Sequence, residues 1–169
     1  MEPIDEPMLE LALNEQLRQS EYEKVDRVLE QFPRVQEIIQ YETEARAPWQ
    51  TEPLLPLDAL VNTRLSYPEV IPTLVALLPQ VKHPRVKEML TRALTVKEAQ
   101  GIANSVLIEQ LKQVPWNAEL AREYQRLSET HAYLGDFDEL PVEMQRRLRT
   151  LAPWESLLYA FGNAIGYLA

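Results

Sequence analysis

VIPTLVALLPQV (residues 70–81), KH (82–83) and PRVKEMLTRALTV (84–96) form the stretch whose reading decides the fold. Val70, Leu74, Leu77, Leu78 and Val81 recur at three- and four-residue spacing, and Val86, Met89, Leu90, Ala93 and Leu94 do so after the break. That period places each set on one face of an α-helix. Pro84 suits the first turn of the second helix, where its missing N–H would have no partner anyway. The spacing therefore predicts an antiparallel helical hairpin with a very short turn. Neither helix can hide its stripe alone, so the pair needs neighbours, as in stacked helical repeats.

The same punctuation continues outward. Thirteen prolines in 169 residues stand mostly between apolar segments of helical period, among them Pro33, Pro48, Pro53, Pro56, Pro68, Pro115, Pro141 and Pro153. Strand alternation and Asn-Gly or Asp-Gly hairpin turns are absent from the sequence. The reading is all-α. In the N-terminal third, Leu9, Leu13 and Leu17 repeat every four residues, and Ser20 with Glu23 reads as a capping box that restarts the helix. Tyr22, Val25, Val28, Leu29 and Phe32 follow as one stripe, then Val35, Ile38 and Ile39 after Pro33. A Pro-rich connector with Trp49 leads to a short helix over 57–65. Further helices are expected over 118–133, over 141–151 and from Pro153 onward.

Composition narrows the function. The formal net charge is −9. Residues 1–52 hold 13 acidic and 5 basic side chains, so nearly all the excess lies in that third. Such a balance argues against a phosphate-backbone binder. No cysteine is present, which excludes disulfides and thiolate chemistry and fits a reducing compartment. The acidic opening Met1-Glu2-Pro3-Ile4 is unlike a secretory signal, and the apolar segment 157–169 is shorter than the roughly 20 residues of a membrane span. A cytoplasmic protein without membrane or nucleic-acid partners is expected.

A second copy of the hairpin can be traced. Leu74, Leu78 and Val81 map onto Leu107, Leu111 and Val114, with Leu77 falling on Gln110. Val86, Leu90, Ala93 and Leu94 map onto Leu157, Phe161, Ala164 and Ile165. The unequal offsets leave an insertion around residues 115–152. These residues, with the Pro-led first helix, Val86-Lys87 and Ala93-Leu94, resemble the HEAT-repeat, armadillo-like helical proteins of bacteria, best over 66–114 and 153–169. The resemblance implies a right-handed α-α solenoid that binds proteins or peptides. On that reading, residues 1–52 are acidic N-terminal helices and 53–169 are HEAT-like repeats with the insertion around 115–152, all in one continuous solenoid domain. The family's acidic intra-repeat turn and its Arg after the Val are replaced here by Lys82-His83 and by Lys87.

Candidate chemistry is sparse. His83 and His131 stand in no ligand spacing, and Asp136-Phe137-Asp138-Glu139 lacks the glycine and distant glutamate of a calcium loop. No cofactor, metal or catalytic residue is expected. Gly162 and Gly166, four apart, suggest close helix packing. The basic cluster Lys82, His83, Arg85, Lys87, Arg92 and Lys97 is expected to pair with the acidic N-terminal helices or a partner. The leading expectation is a non-enzymatic interaction scaffold, an immunity or adaptor protein. Its basic partner would meet Glu37, Glu42, Glu44, Trp49 and Trp116. The alternative is a HEAT-like enzyme of the DNA-glycosylase or bilin-lyase type. The final helix ends without a polar capping turn, which suggests continuation into a larger solenoid or self-association through that helix.

Overall fold

The computed structural model describes residues 5–169, so the acidic opening, residues 1–4, lies outside the described residues. The described chain forms nine α-helices joined by short turns, with no strand: α1 (Glu6–Glu10), α2 (Glu15–Leu29), α3 (Pro33–Ala45), α4 (Pro56–Asn62), α5 (Ile71–Leu77), α6 (Pro84–Leu94), α7 (Asn104–Lys112), α8 (Ala118–Leu134) and α9 (Val142–Leu168). Proline stands in the first turn of α1, α3, α4, α5 and α6, so it works as a helix opener as the sequence suggests. No helix among the described residues is long and apolar enough to cross a membrane.

Helices α4, α6 and α9 are successive neighbours, with α6 packed against both others. Outside this row α3 packs on α4, α5 on α6 and α7 on α9. On other flanks α2 meets α4 and α6, while α1, the 3₁₀ turn Leu11–Leu13 and α8 meet α9. The helix α6 is buried more widely than its stripe requires. Val86, Leu90, Ala93 and Leu94 are fully buried, and Lys87 and Thr91 are buried beside them.

Several polar ties hold the row in place. The buried Glu21 carboxylate accepts the backbone N–H groups of Lys82 (2.7 Å) and His83 (2.8 Å), fixing the hairpin turn to α2. Asp26 accepts the Leu57 N–H at 2.9 Å, supplying the cap that Leu55 cannot give α4. The buried Tyr67 hydroxyl donates to the Ala93 carbonyl at 2.7 Å, and burial raises its pKa. The Trp154 indole N–H donates to the Leu9 carbonyl at 3.1 Å, joining α9 to α1.

The boundaries differ from expectation in instructive places. The segment over 70–81 is not one helix: α5 gives way at Leu78–Gln80 to a 3₁₀ turn, since Pro79 has no N–H for the α ladder. Ser20 restarts nothing. It is exposed within α2, whose cap is Asn14, accepting the Leu17 N–H at 2.9 Å. Leu9, Leu13 and Leu17 consequently fall on α1, a 3₁₀ turn and α2 rather than on one helix. Pro153 starts no helix either, because α9 runs through it over 27 residues. The carbonyl of Arg149 loses its helical donor there, a cost that burial of the Pro153 ring and of Trp154 beside it offsets.

Gly162 and Gly166 are exposed, and a Cβ at either would meet nothing within 4 Å, so close packing does not explain them. Leu157, Phe161 and Leu168 on the same helix are buried, whereas Tyr159 and Tyr167 face solvent.

Two stability measurements check this packing. Leu90→Ala should cost about 2–5 kcal/mol in urea unfolding, because the cavity opens in the centre of the row. Gly162→Ala should stabilise by about 0.5–1 kcal/mol, since the exposed helical site has room for the methyl and the unfolded chain loses freedom.

Candidate functional site

A cleft of about 610 Å³ opens where the two ends of the chain meet the start of α6. Ala12, Leu13, Glu15 and Arg18 come from the first turn region and α2, His83 and Arg85 from the start of α6, and Tyr124, Ser128 and His131 from α8. Phe137 and then Leu148, Arg149, Ala152 and Pro153 of α9 complete the lining. Three arginines thus line one cleft in a chain whose net charge is −9. Among the described residues one carboxylate, Glu15, lines it with them, lying 3.4 Å from Arg18. Arg85 contacts Glu88 at 3.2 Å, and Arg149 stacks over the Phe137 ring at 4.9 Å. Arg149 has no carboxylate partner among the described residues.

His83 is the unusual group. It is fully buried and caps α6, its Nδ1 accepting the Arg85 N–H at 3.1 Å. That bond places the neutral ring's proton on Nε2, which is buried without a hydrogen-bond partner. Burial pushes the imidazole pKa down to about 4; Arg18 and Arg85 push the same way, and Glu15 opposes them. His83 is therefore neutral at pH 7 and carries an unsatisfied donor, a costly state for a buried polar group.

The other sequence candidates are dispersed. Glu37 pairs with Arg34 at 3.0 Å, and Glu44 accepts from Gln40. Both point to solvent on α3 with Tyr41, since positions 37, 41 and 44 share one helical face. Glu42 faces elsewhere and accepts the Thr63 hydroxyl at 2.8 Å, so the three glutamates do not form one patch. Trp49 is 81% exposed, Trp116 is half-buried edge-on to Tyr124 at 6.1 Å, and Trp154 is core. Trp116 thus stands behind the cleft wall rather than beside Trp49.

The basic cluster meets the charges of the N-terminal helices only without direct contact, Glu21 acting on Lys87 and Glu15 on His83. Among the described residues no ion pair joins them; Glu21 takes backbone N–H groups instead. Lys87 turns inward to the Leu78 carbonyl (3.2 Å) and to Gln110 Oε1, and burial lowers its pKa to about 8. His131 packs edge-on to Phe137 at 5.6 Å, away from Glu129, which accepts from Gln125. Asp136 caps the Asp138 N–H in an exposed turn. No group of three His, Asp or Glu among the described residues is placed to hold a metal ion.

Arg18, Tyr124, Ser128 and Arg149 were not singled out in the sequence. Tyr124 and Ser128 stand four apart on one face of α8, but Arg18 and Arg149 belong to α2 and α9, and only folding brings the three helices together. No family model, curated protein or solved structure matches the chain.

The pH dependence of stability follows from two buried groups of opposite sign. Between pH 6.5 and about 4 the unfolded chain protonates His83 while the folded protein does not, so this residue removes stability as pH falls. Asp26, raised to about 6 chiefly by burial, protonates first in the folded state and adds stability as pH falls from there towards 3.8. In urea midpoints over this range, His83→Asn should lose less stability on acidification than the parent, and Asp26→Asn should lose more.

Proposed function

We propose that the protein is a non-enzymatic, cytoplasmic interaction scaffold of HEAT-like α-α solenoid design that engages a basic protein partner. The architectural half rests on the pairs α3–α4, α5–α6 and α7–α9, whose second members lie in one row. The expected second hairpin corresponds to α7 against the latter part of α9, where the Asn104 side-chain amide donates to the Leu168 carbonyl at 3.0 Å.

One observation carries the partner reading. Tyr41, 54% exposed, stands between Glu37 and Glu44 on the solvent face of α3, and Trp49, 81% exposed, follows that helix. Large rings left in water beside acidic side chains suit an interface with an apolar anchor and a negative rim. The acidic N-terminal third supplies a field that attracts a basic partner from a distance.

The test is a pull-down from the native host followed by binding kinetics with the protein so captured. Trp49→Ala should weaken the complex by about 2 kcal/mol or more, as a hot-spot ring does. Glu37→Lys with Glu44→Lys should slow association about tenfold at low salt and change dissociation little. A captured partner that binds both variants like the parent would overturn the reading. Nucleic acid or a coloured tetrapyrrole accompanying the purified protein, with no protein partner, would favour the glycosylase- or bilin-lyase-like alternative.

A further inference from the structure

We propose that the cleft between α2, α6, α8 and α9 is a binding site for a small organic phosphate, its phosphate group held by Arg18, Arg85 and Arg149 and by the unpartnered Nε2–H of His83. This site is separate from the α3 surface and stands independently of the protein partner proposed for it.

Three observations support it. The first is an excess of donors. Three arginines, His83 and Ser128 line a space whose described lining holds one carboxylate, Glu15 on Arg18; Glu88, outside the lining, pairs with Arg85, and Arg149 has none. A phosphate monoester brings three terminal oxygens and a charge near −2, and guanidinium forks match its geometry. A carboxylate, with two oxygens and one charge, would leave more of these donors unanswered.

The second is the orphaned imidazole. His83 is fully buried, its Nδ1 lone pair is used by the Arg85 N–H, and its Nε2 has no partner. It lines the cleft at the start of α6, where the helix dipole also favours negative charge. Nε2 is closed to solvent in this structure, so a small shift of the ring towards the cleft accompanies the bound oxyanion that gives this donor the acceptor it lacks. The third is size and lining. About 610 Å³ falls within the range of small-molecule sites, and Tyr124, Phe137, Leu148 and Pro153 give apolar surface for the body that carries the phosphate. Arg149 is the most available of the cations, held by the Phe137 ring and by no carboxylate among the described residues.

The probe is phenyl phosphate, titrated calorimetrically into the full chain beside benzoate and inorganic phosphate. The His83 imidazole is followed in long-range proton–nitrogen spectra. Saturable binding at one site is expected, with benzoate weaker by about tenfold or more, the worth of a lost charge-assisted contact. Inorganic phosphate should also bind, more weakly, since it lacks the apolar body. The His83 Nε2 resonance should shift as the site fills. Arg149→Gln, an exposed position whose change leaves the core intact, should weaken phenyl phosphate by about tenfold. His83→Asn, which keeps an acceptor for the Arg85 N–H, should weaken it similarly while retaining a cooperative melt.

Absence of saturation up to about 10 mM, where only affinities too weak for a built site remain, would overturn the proposal. Benzoate binding as tightly as phenyl phosphate, or Arg149→Gln binding like the parent, would do the same. Tighter binding of a phosphotyrosine peptide than of phenyl phosphate would overturn the small-molecule assignment in favour of a phosphorylated chain.

Discussion

The carboxylate of Glu21 on the turn before α6 is the contact on which the rest of the structure depends. Helix α6 lies between α4 and α9 with α5 and α2 on other flanks, so its first turn starts inside the protein rather than at the surface. The N–H of the fully buried His83 points where water cannot serve it, that of Lys82 beside it is part-buried, and a buried donor left unmet would cost about 1–3 kcal/mol. Glu21 meets both at once from the neighbouring helix. Its charge is compensated in turn by the helix start it faces and by the nearby Lys87 ammonium, whose lowered pKa Glu21 partly restores.

That single clamp also sets the chemistry of the cleft. By fixing where α6 begins, it fixes His83 as the cap and Arg85, two residues on, in the lining. The walls then arrive from both ends of the sequence. Residues 12–18 form one side, and α8 with the middle of α9 forms the other. The Trp154–Leu9 bond, the Arg146–Glu10 pair and the bridging of Glu6 and Glu123 by Arg147 hold these walls together. The segment that the sequence reads as an insertion, 115–152, is therefore a wall of the cleft, and it is continuous through α9 with the repeat-like residues that follow.

Helical class and the central hairpin were legible because they rest on local period. Val86, Leu90, Ala93 and Leu94 are buried as their spacing predicts. Misreadings occurred where local signals compete with tertiary ones. Ser20 and Glu23 have the residue types of a capping box, but Asn14 had already opened α2, and a cap works only where a helix begins. Pro153 has the local signature of a helix start, yet burying its ring and Trp154 keeps α9 in one piece. Gly162 and Gly166 have packing-motif spacing, but spacing does not say which face turns inward. The meeting of Arg85, named in the basic cluster, with Arg18 and Arg149 was illegible for a different reason. Each is an ordinary polar-face residue on its own helix, and their convergence spans the chain from Arg18 to Arg149.

The imperfect internal repeat gains meaning from the same row of helices. Where the first hairpin has Leu77, the second has Gln110, the one mismatch in an otherwise apolar register. Gln110 is buried, and its side-chain oxygen accepts from Lys87, itself the residue that departs from the HEAT pattern. A leucine at 110 would leave the Lys87 ammonium with the Leu78 carbonyl as its one protein partner, and an apolar residue at 87 would strand the Gln110 amide. The two departures are thus one compensated pair. They place a buried polar contact between α6 and α7, close to where Glu21 holds the turn. Because a half-satisfied pair costs more than either an apolar or a fully bonded one, this contact selects the register in which α7 can dock. Polarity in the central row, rather than additional apolar area, is what makes the arrangement of these short helices specific.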